Sequence, residues 1–109
     1  MREIKFRAWD KKKKKIEYFS LREVCTLGYN LTFKKYADKI FMQYTGLKDK
    51  NGVEIYEGDI LFDAVGEYTG VVLFNECGFK VNYEDIIDDL SEWEGTEAIG
   101  NIYENGDLL

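Results

Sequence analysis

The fold is decided by the stretch DKNGVEIYEGDILF, residues 49–62. Within it, Asn51-Gly52 is a strong two-residue signal for a β-hairpin, because both central positions of a type I′ turn need a positive φ. Apolar and polar residues alternate after the turn, and residues 58–62 lead into an apolar strand pattern. We therefore expect a hairpin at this turn and a further strand after it.

The N-terminal residues carry the same strand pattern. Ile4, Phe6 and Ala8 alternate with charged residues, which is typical of a half-buried strand. Five lysines at residues 11–15 then form a polar connection, which predicts a hairpin or a strand-to-helix turn. Residues 19–25 have near-helical apolar spacing, so one short helix is expected there.

The rest of the chain predicts more short strands. We expect two strands within residues 26–47 and single strands at 68–74, 78–83 and 96–103, with a helical turn or irregular loop at 85–93. The chain contains no proline, so glycine and asparagine must form the turns. The predicted fold class is mostly β with minor α, arranged as a small sheet or barrel.

Length and composition indicate one domain of 109 residues with a modest core. No apolar run approaches the roughly 18–20 residues that a membrane span requires, and no apolar leader segment follows the first residues, so a cytoplasmic protein is expected. Cys25 and Cys77 lie far apart and outside any C-x-x-C pair, which argues against a zinc ribbon or redox motif. Free buried thiols are predicted.

Charge is divided unevenly along the chain. Residues 1–50 carry 14 basic and 6 acidic side chains, whereas residues 51–109 carry 15 acidic side chains and a single basic one, Lys80. Three interpretations stay open: the halves offset each other within one molecule, copies self-associate through opposite charges, or the acidic half imitates a phosphate backbone and occupies a DNA-binding protein. Direct binding of nucleic acid is not expected from a net charge of -6.

Three segments together resemble the YopX protein family. They are REIKFRAWD at residues 2–10, MQYTGLKDKNGVEIYEGDI at 42–60 and IGNIYEN at 99–105, and the middle segment is the most specific. The resemblance implies a protein encoded by a bacteriophage or prophage and rich in β-structure. It also implies an N-terminal β region over residues 1–56 with at most a short helix, followed by a small SH3-like barrel over residues 57–109.

Catalytic chemistry finds little support in the sequence. The chain has no histidine, which removes the commonest general base and the commonest transition-metal ligand. With Gly52 at the sixth position of a calcium loop, Leu47 and Gly58 occupy positions that require carboxylates, so that interpretation fails. No catalytic residue, metal site or cofactor is predicted.

Two candidate binding surfaces remain. If the first hairpin lies beside the middle segment, basic and aromatic side chains line a pocket for an anion or nucleotide-like ligand. These residues are Lys5, Arg7, Trp9, Tyr44, Lys48 and Tyr56. The second surface is an acidic protein contact with a tryptophan anchor. Its residues are Asp85, Asp88, Asp89, Glu92, Trp93 and Glu94.

Three functional hypotheses follow from these surfaces. The first is a non-enzymatic phage accessory protein that binds a host protein stoichiometrically or assembles with itself as a homo-oligomer in the bacterial cytoplasm. The second is an oligomer that sequesters a small nucleotide-like signal, and the third is an acidic DNA mimic. The sequence leaves open the partner, the ligand and the number of subunits.

Overall fold

The computed structural model describes residues 3–24 and 38–109. These residues form nine strands in two antiparallel sheets, with a helical turn at residues 21–24 and two short 3₁₀ helices. The first sheet contains β1 (Lys5–Asp10), β2 (Lys15–Ser20), β3 (Lys39–Lys48) and β4 (Glu54–Tyr56). The second contains β5 (Asp59–Asp63), β6 (Tyr68–Asn75), β7 (Gly78–Tyr83), β8 (Ile86–Asp89) and β9 (Glu97–Asn101). The predicted mostly β class is confirmed.

The first sheet has the strand order β2-β1-β3-β4, and the lysine run forms the turn of its β1–β2 hairpin. All five lysines are exposed. The carboxylate of Asp10 accepts the backbone N–H groups of Lys12 and Lys13, at 2.9 Å each. The Lys13 hydrogen bond is the main cause that lowers the pKa of Asp10 to about 2. The turn is therefore held by one carboxylate rather than by glycine.

The middle segment forms the predicted hairpin between β3 and β4, but its turn differs from the expected type. Gly52 has φ +82°, whereas Asn51 does not have the positive φ that a type I′ turn requires. The Asp49 carboxylate accepts the N–H groups of Asn51 and Val53, at 2.8 and 2.9 Å. The Asp49 side chain thus stabilises a connection between the strands that is longer than a two-residue turn. In this connection Asn51 does not adopt the left-handed conformation.

The second sheet has the order β8-β7-β6-β5-β9, and it packs one face against the main apolar core. The first 3₁₀ helix, Leu90–Trp93, covers that face together with Ile55 from β4. Among the described residues, no pairing joins β8 to β9 to close the sheet. A closed SH3-like barrel is thus not confirmed and stays a prediction.

Several local expectations are corrected. The helical turn or irregular loop predicted for residues 85–93 is confirmed at the 3₁₀ helix Leu90–Trp93, but strand β8 occupies Ile86–Asp89 instead. The free thiol of Cys77 is exposed in the turn after β6 rather than buried. Cys25 and the first strand expected within residues 26–47 lie outside the described residues, whereas β3 occupies the end of that range.

Candidate functional site

The structure brings together four of the six residues predicted to bind an anionic ligand. Lys5 lies 5.0 Å from the Tyr44 ring centroid, and the Arg7 guanidinium lies 4.8 Å from that of Tyr56. The Tyr44 and Tyr56 centroids are 5.4 Å apart. These side chains meet because β1, β3 and β4 are neighbours in one sheet.

The other two predicted residues lie elsewhere. Trp9 stacks on Tyr103, with ring centroids 5.8 Å apart and planes 16° apart. Lys48 is exposed at the end of β3. Neither residue contributes to the cluster of cations and tyrosines around Tyr56.

The two cations of this cluster are matched by carboxylates of the same chain. Lys5 pairs with Glu54 and, at 3.3 Å, with Glu3, and the hydrogen bond to Glu54 is the main cause that raises the pKa of Lys5. The adjacent groove has a volume of about 380 Å³, and its lining includes the further carboxylate of Glu23. Its balance of charge is therefore unfavourable for a phosphate-bearing ligand.

Arg7 forms a buried tie between the two sheets. Its guanidinium donates to the Asp59 carboxylate at 2.7 Å and to the Glu57 carbonyl at 3.1 Å, and both charged residues are only 5% exposed. Asp59 also accepts the backbone N–H of Tyr56 at 2.8 Å. Burial raises the pKa of Asp59 against the opposing effect of Arg7. The geometry is that of an internal structural pair.

Residues 84–94, which we name the acidic segment, comprise the turn into β8, the strand itself and the 3₁₀ helix with its flanks. Asp85, Glu92 and Glu94 are exposed, and no ion pair to another described residue involves them. Asp89 pairs with Lys80, the single basic residue of the acidic half. The sequence-predicted acidic surface thus exists as an exposed feature.

Trp93 does not fit the predicted role of an exposed anchor. It is 4% exposed and belongs to the main core, where its ring contacts Tyr68 and Tyr83 with centroids 5.4 and 6.1 Å apart. Its indole N–H donates to the Asp88 carboxylate at 3.1 Å. Trp93 and Asp88 are therefore part of the scaffold beneath the acidic segment.

Two apolar residues of the acidic segment are exposed instead. Ile86 and Ile87 are 53% and 48% exposed, on a strand that forms one edge of the second sheet. The sequence predicted only a helical turn or an irregular loop around them and did not indicate that they are exposed. An exposed apolar pair rimmed by charge is a common composition of a protein contact.

A second feature that sequence reasoning missed is a groove between the end of β3 and the 3₁₀ helix, which we name the junction groove. Its volume is about 220 Å³. Its lining residues are Leu47, Lys48, Ile55, Leu90, Ser91, Trp93 and Glu94. Its walls come from distant parts of the sequence, so no local pattern could have indicated it.

The described residues offer neither a metal-binding cluster nor a membrane-spanning helix. Within residues 3–24 and 38–109, no three carboxylate or thiol side chains gather closely enough to hold a metal ion. In the same ranges, none of the helical segments has the length and apolar character needed to cross a bilayer.

Comparison with known proteins identifies relatives of the whole chain. The family model described as YopX protein matches residues 5–109. The chain is also similar to a solved structure, protein EF1440 from Enterococcus faecalis, with 27% sequence identity and a TM-score of 0.68. That alignment covers 100% of this chain and 99% of the other. Among curated protein sequences, none matches.

Proposed function

The chain belongs to the YopX protein family, and from this premise we propose that it is a phage- or prophage-encoded accessory protein that binds a basic host protein stoichiometrically and without catalysis. The acidic segment is the proposed contact surface. The proposal places the protein in the bacterial cytoplasm, with the second sheet acting as its SH3-like binding part.

One observation carries this proposal: three exposed carboxylates of the acidic segment have no cation partner among the described residues. Asp85, Glu92 and Glu94 form no ion pair within residues 3–24 and 38–109, whereas Lys5 and Arg7 of the first sheet are both paired. Complementary charge accelerates encounter and selects the partner, even when it adds little to the affinity. The exposed Ile86 and Ile87 supply the apolar contact that charge alone does not give.

A DNA mimic is one form of this proposal, in which the host partner is a DNA-binding protein and the carboxylates replace phosphates. Sequestration of a nucleotide-like ligand has less support. The cations of its predicted site already face Glu54 and Asp59. A ligand phosphate would have to displace these carboxylates or lie beside them.

Self-assembly is the second form that the charge layout favours. The lysines at residues 11–15 are exposed at a hairpin tip and make no ion pair to a described residue. In a homo-oligomer, this tip of one copy would face the acidic segment of another. Sedimentation velocity at low and high salt tests this arrangement, because screening should dissociate it.

The main test is capture of host proteins on the immobilised protein, followed by kinetic binding measurements with each captured protein. The variant D85N/E92Q/E94Q removes three charges from the acidic segment. The matched control E67Q/E76Q/D107N removes three exposed charges elsewhere. We expect the first variant to lose binding and the control to keep it. If the unaltered protein, the acidic-segment variant and the control bind a captured host protein equally, the proposed surface is refuted.

A further inference from the structure

We propose that the junction groove binds one apolar side chain carried by an extended, lysine- or arginine-rich segment of a partner protein. This inference deepens the proposed function and rests on it for the kind of partner. It specifies where the partner is anchored. In this inference the partner inserts a side chain into the groove that Trp93 lines, whereas the sequence predicted that Trp93 would insert into the partner.

The size of the groove limits its occupant. Its volume of about 220 Å³ exceeds the roughly 150 Å³ of an engineered apolar cavity that holds benzene. It falls below the range of roughly 300–1,000 Å³ that is usual for pockets of drug-sized ligands and cofactors. One aromatic or branched aliphatic side chain is therefore the fitting occupant.

The chemistry of the groove agrees with this size. Ile55, Leu90 and Trp93 are each at most 5% exposed and belong to the rigid core. Leu47 is 46% exposed and forms a wall that reaches into solvent. An apolar side chain that enters the groove would cover Leu47 and lose its own contact with water, which favours binding.

The wall that carries Leu47 is formed before any partner arrives. The pairing of β3 with β4 shifts register between Tyr44 and Lys48, and Gly46 has φ +88° within this irregularity. The Thr45 hydroxyl donates to the Ile55 carbonyl at 2.7 Å and accepts the Leu47 N–H at 3.2 Å. A preformed site reduces the entropy lost on binding.

The charges around the groove indicate a basic segment. Lys48 and Glu94 line it, and a separate, more open pocket beside it reaches Asp89, which pairs with Lys80. The exposed Glu92 belongs to the same 3₁₀ helix. Along the path of a segment that leaves the groove, the three carboxylates of Asp89, Glu92 and Glu94 thus face two cations, Lys48 and Lys80. The path keeps a net negative charge, so basic flanking residues complement it.

The test uses a synthetic heptapeptide with a central phenylalanine, a serine on each side and two lysines at each end. The protein has two tryptophans, and only Trp93 lines the groove. Peptide binding is therefore measured in a W9F variant, in which the tryptophan fluorescence comes from Trp93 alone. We expect saturable binding, weakened about tenfold or more when the central phenylalanine becomes alanine. A peptide with glutamates in place of lysines should also bind more weakly.

Protein variants assign this binding to the groove. L47S shortens the exposed wall and should weaken binding about tenfold. V53S is the matched control, because Val53 is 52% exposed on the same hairpin and does not line the groove. Equal peptide binding by L47S and V53S, or no binding by the lysine-flanked peptide, would overturn the inference.

Two results separate this inference from the proposed function. If D85N/E92Q/E94Q loses a host partner while L47S keeps both that partner and the peptide, the groove inference fails and the proposed function stands. If L47S loses peptide binding while the triple variant keeps its host partner, the groove stands and the acidic surface fails. Self-association abolished by L47S would assign the groove to a second copy and overturn the proposal.

Discussion

The buried and half-buried cations of the first sheet have ion-pair partners, whereas most exposed carboxylates of the acidic segment have none among the described residues. In the first sheet, Lys39 contacts Asp10 at 3.2 Å and Glu17 at 2.6 Å, and Arg7 reaches across to Asp59. In the acidic segment, Asp85, Glu92 and Glu94 form no ion pair to any described residue, whereas Asp89 pairs with Lys80. Charge is thus an internal connection in one region and an outward surface in the other.

This difference separates scaffold from candidate site better than the number of charges does. A buried charge that loses its partner strongly destabilises a protein, whereas an exposed carboxylate contributes little to folding. Exposed charges that have no ion-pair partner within the chain are therefore better explained by binding to another molecule than by a contribution to stability. The contrast can be tested by changing charges in each region and measuring stability and binding separately.

The largest effect is expected at the buried pair between the sheets. Replacing Asp59 with asparagine removes the charge partner of Arg7 but keeps an acceptor for the Tyr56 N–H. The guanidinium would remain buried without a counter-charge, and we expect a loss of about 3–5 kcal/mol in the free energy of unfolding. Urea denaturation followed by circular dichroism measures this loss.

The double variant R7M/D59N serves as the control for this prediction. Methionine fills much of the arginine volume without a charge, so the double variant should be more stable than D59N alone. If D59N is as stable as the unaltered protein, or if the double variant is the least stable of the three, the pair is not the tie that we describe.

The next effect concerns Asp49, which connects the middle hairpin to β9. Its carboxylate accepts the Ala98 N–H at 3.0 Å in addition to the two N–H groups of its own turn. Burial alone would raise the pKa of Asp49, but these backbone donors outweigh burial and lower it. We expect D49A to lose about 1–3 kcal/mol of stability at neutral pH, because three partly buried hydrogen bonds from backbone donors are lost at once.

The pH dependence of this loss has a definite sign. Because the folded pKa lies below the unfolded value of about 3.9, the carboxylate stabilises the fold fully above that value. The contribution disappears as the pH falls through the folded pKa. The difference in unfolding free energy between D49A and the unaltered protein should therefore narrow below about pH 4. A constant difference down to pH 2 would argue against a role of the ionised group.

A third prediction tests whether Trp93 belongs to the scaffold. A Cβ atom on Gly70 would lie 2.4 Å from Val81 Cγ1 and 2.8 Å from Trp93 Cη2. The G70A variant should therefore lose about 1–3 kcal/mol through overpacking. G106A is the control, because nothing lies within 4 Å of a Cβ there. Equal stability of the two variants would mean that Trp93 moves freely, as an exposed anchor would.

The sequence predicted the regular strands well, because their patterns are local. Alternation predicted β1 and β7, and the dense β-branched and aromatic run predicted β6. The Asn51-Gly52 signal placed the second hairpin but gave the wrong turn type. There the Asp49 side chain competes with the backbone and changes the loop, an effect that dipeptide preference does not include.

The candidate sites were less predictable, because contacts between sheets decide them. The sequence grouped Lys5, Arg7 and the tyrosines correctly, but it could not show that Glu54 and Asp59 match their charges. A tryptophan among acids has the same pattern whether it is buried or exposed. The indication that Trp93 is buried lay in Gly70, which leaves room for its ring and becomes meaningful only in three dimensions.

The smallest effect on stability is expected in the acidic segment. This prediction is the most direct test of the difference between the first sheet and the acidic segment. D85N/E92Q/E94Q should change the free energy of unfolding by no more than about 0.5 kcal/mol, because its carboxylates are exposed and form no ion pair to a described residue. The same variant is expected to lose the host partner. Denaturation and binding measured on one preparation check both halves of the prediction. A destabilisation as large as that of D59N would show that these charges serve folding, and the distinction between the two regions would then no longer hold.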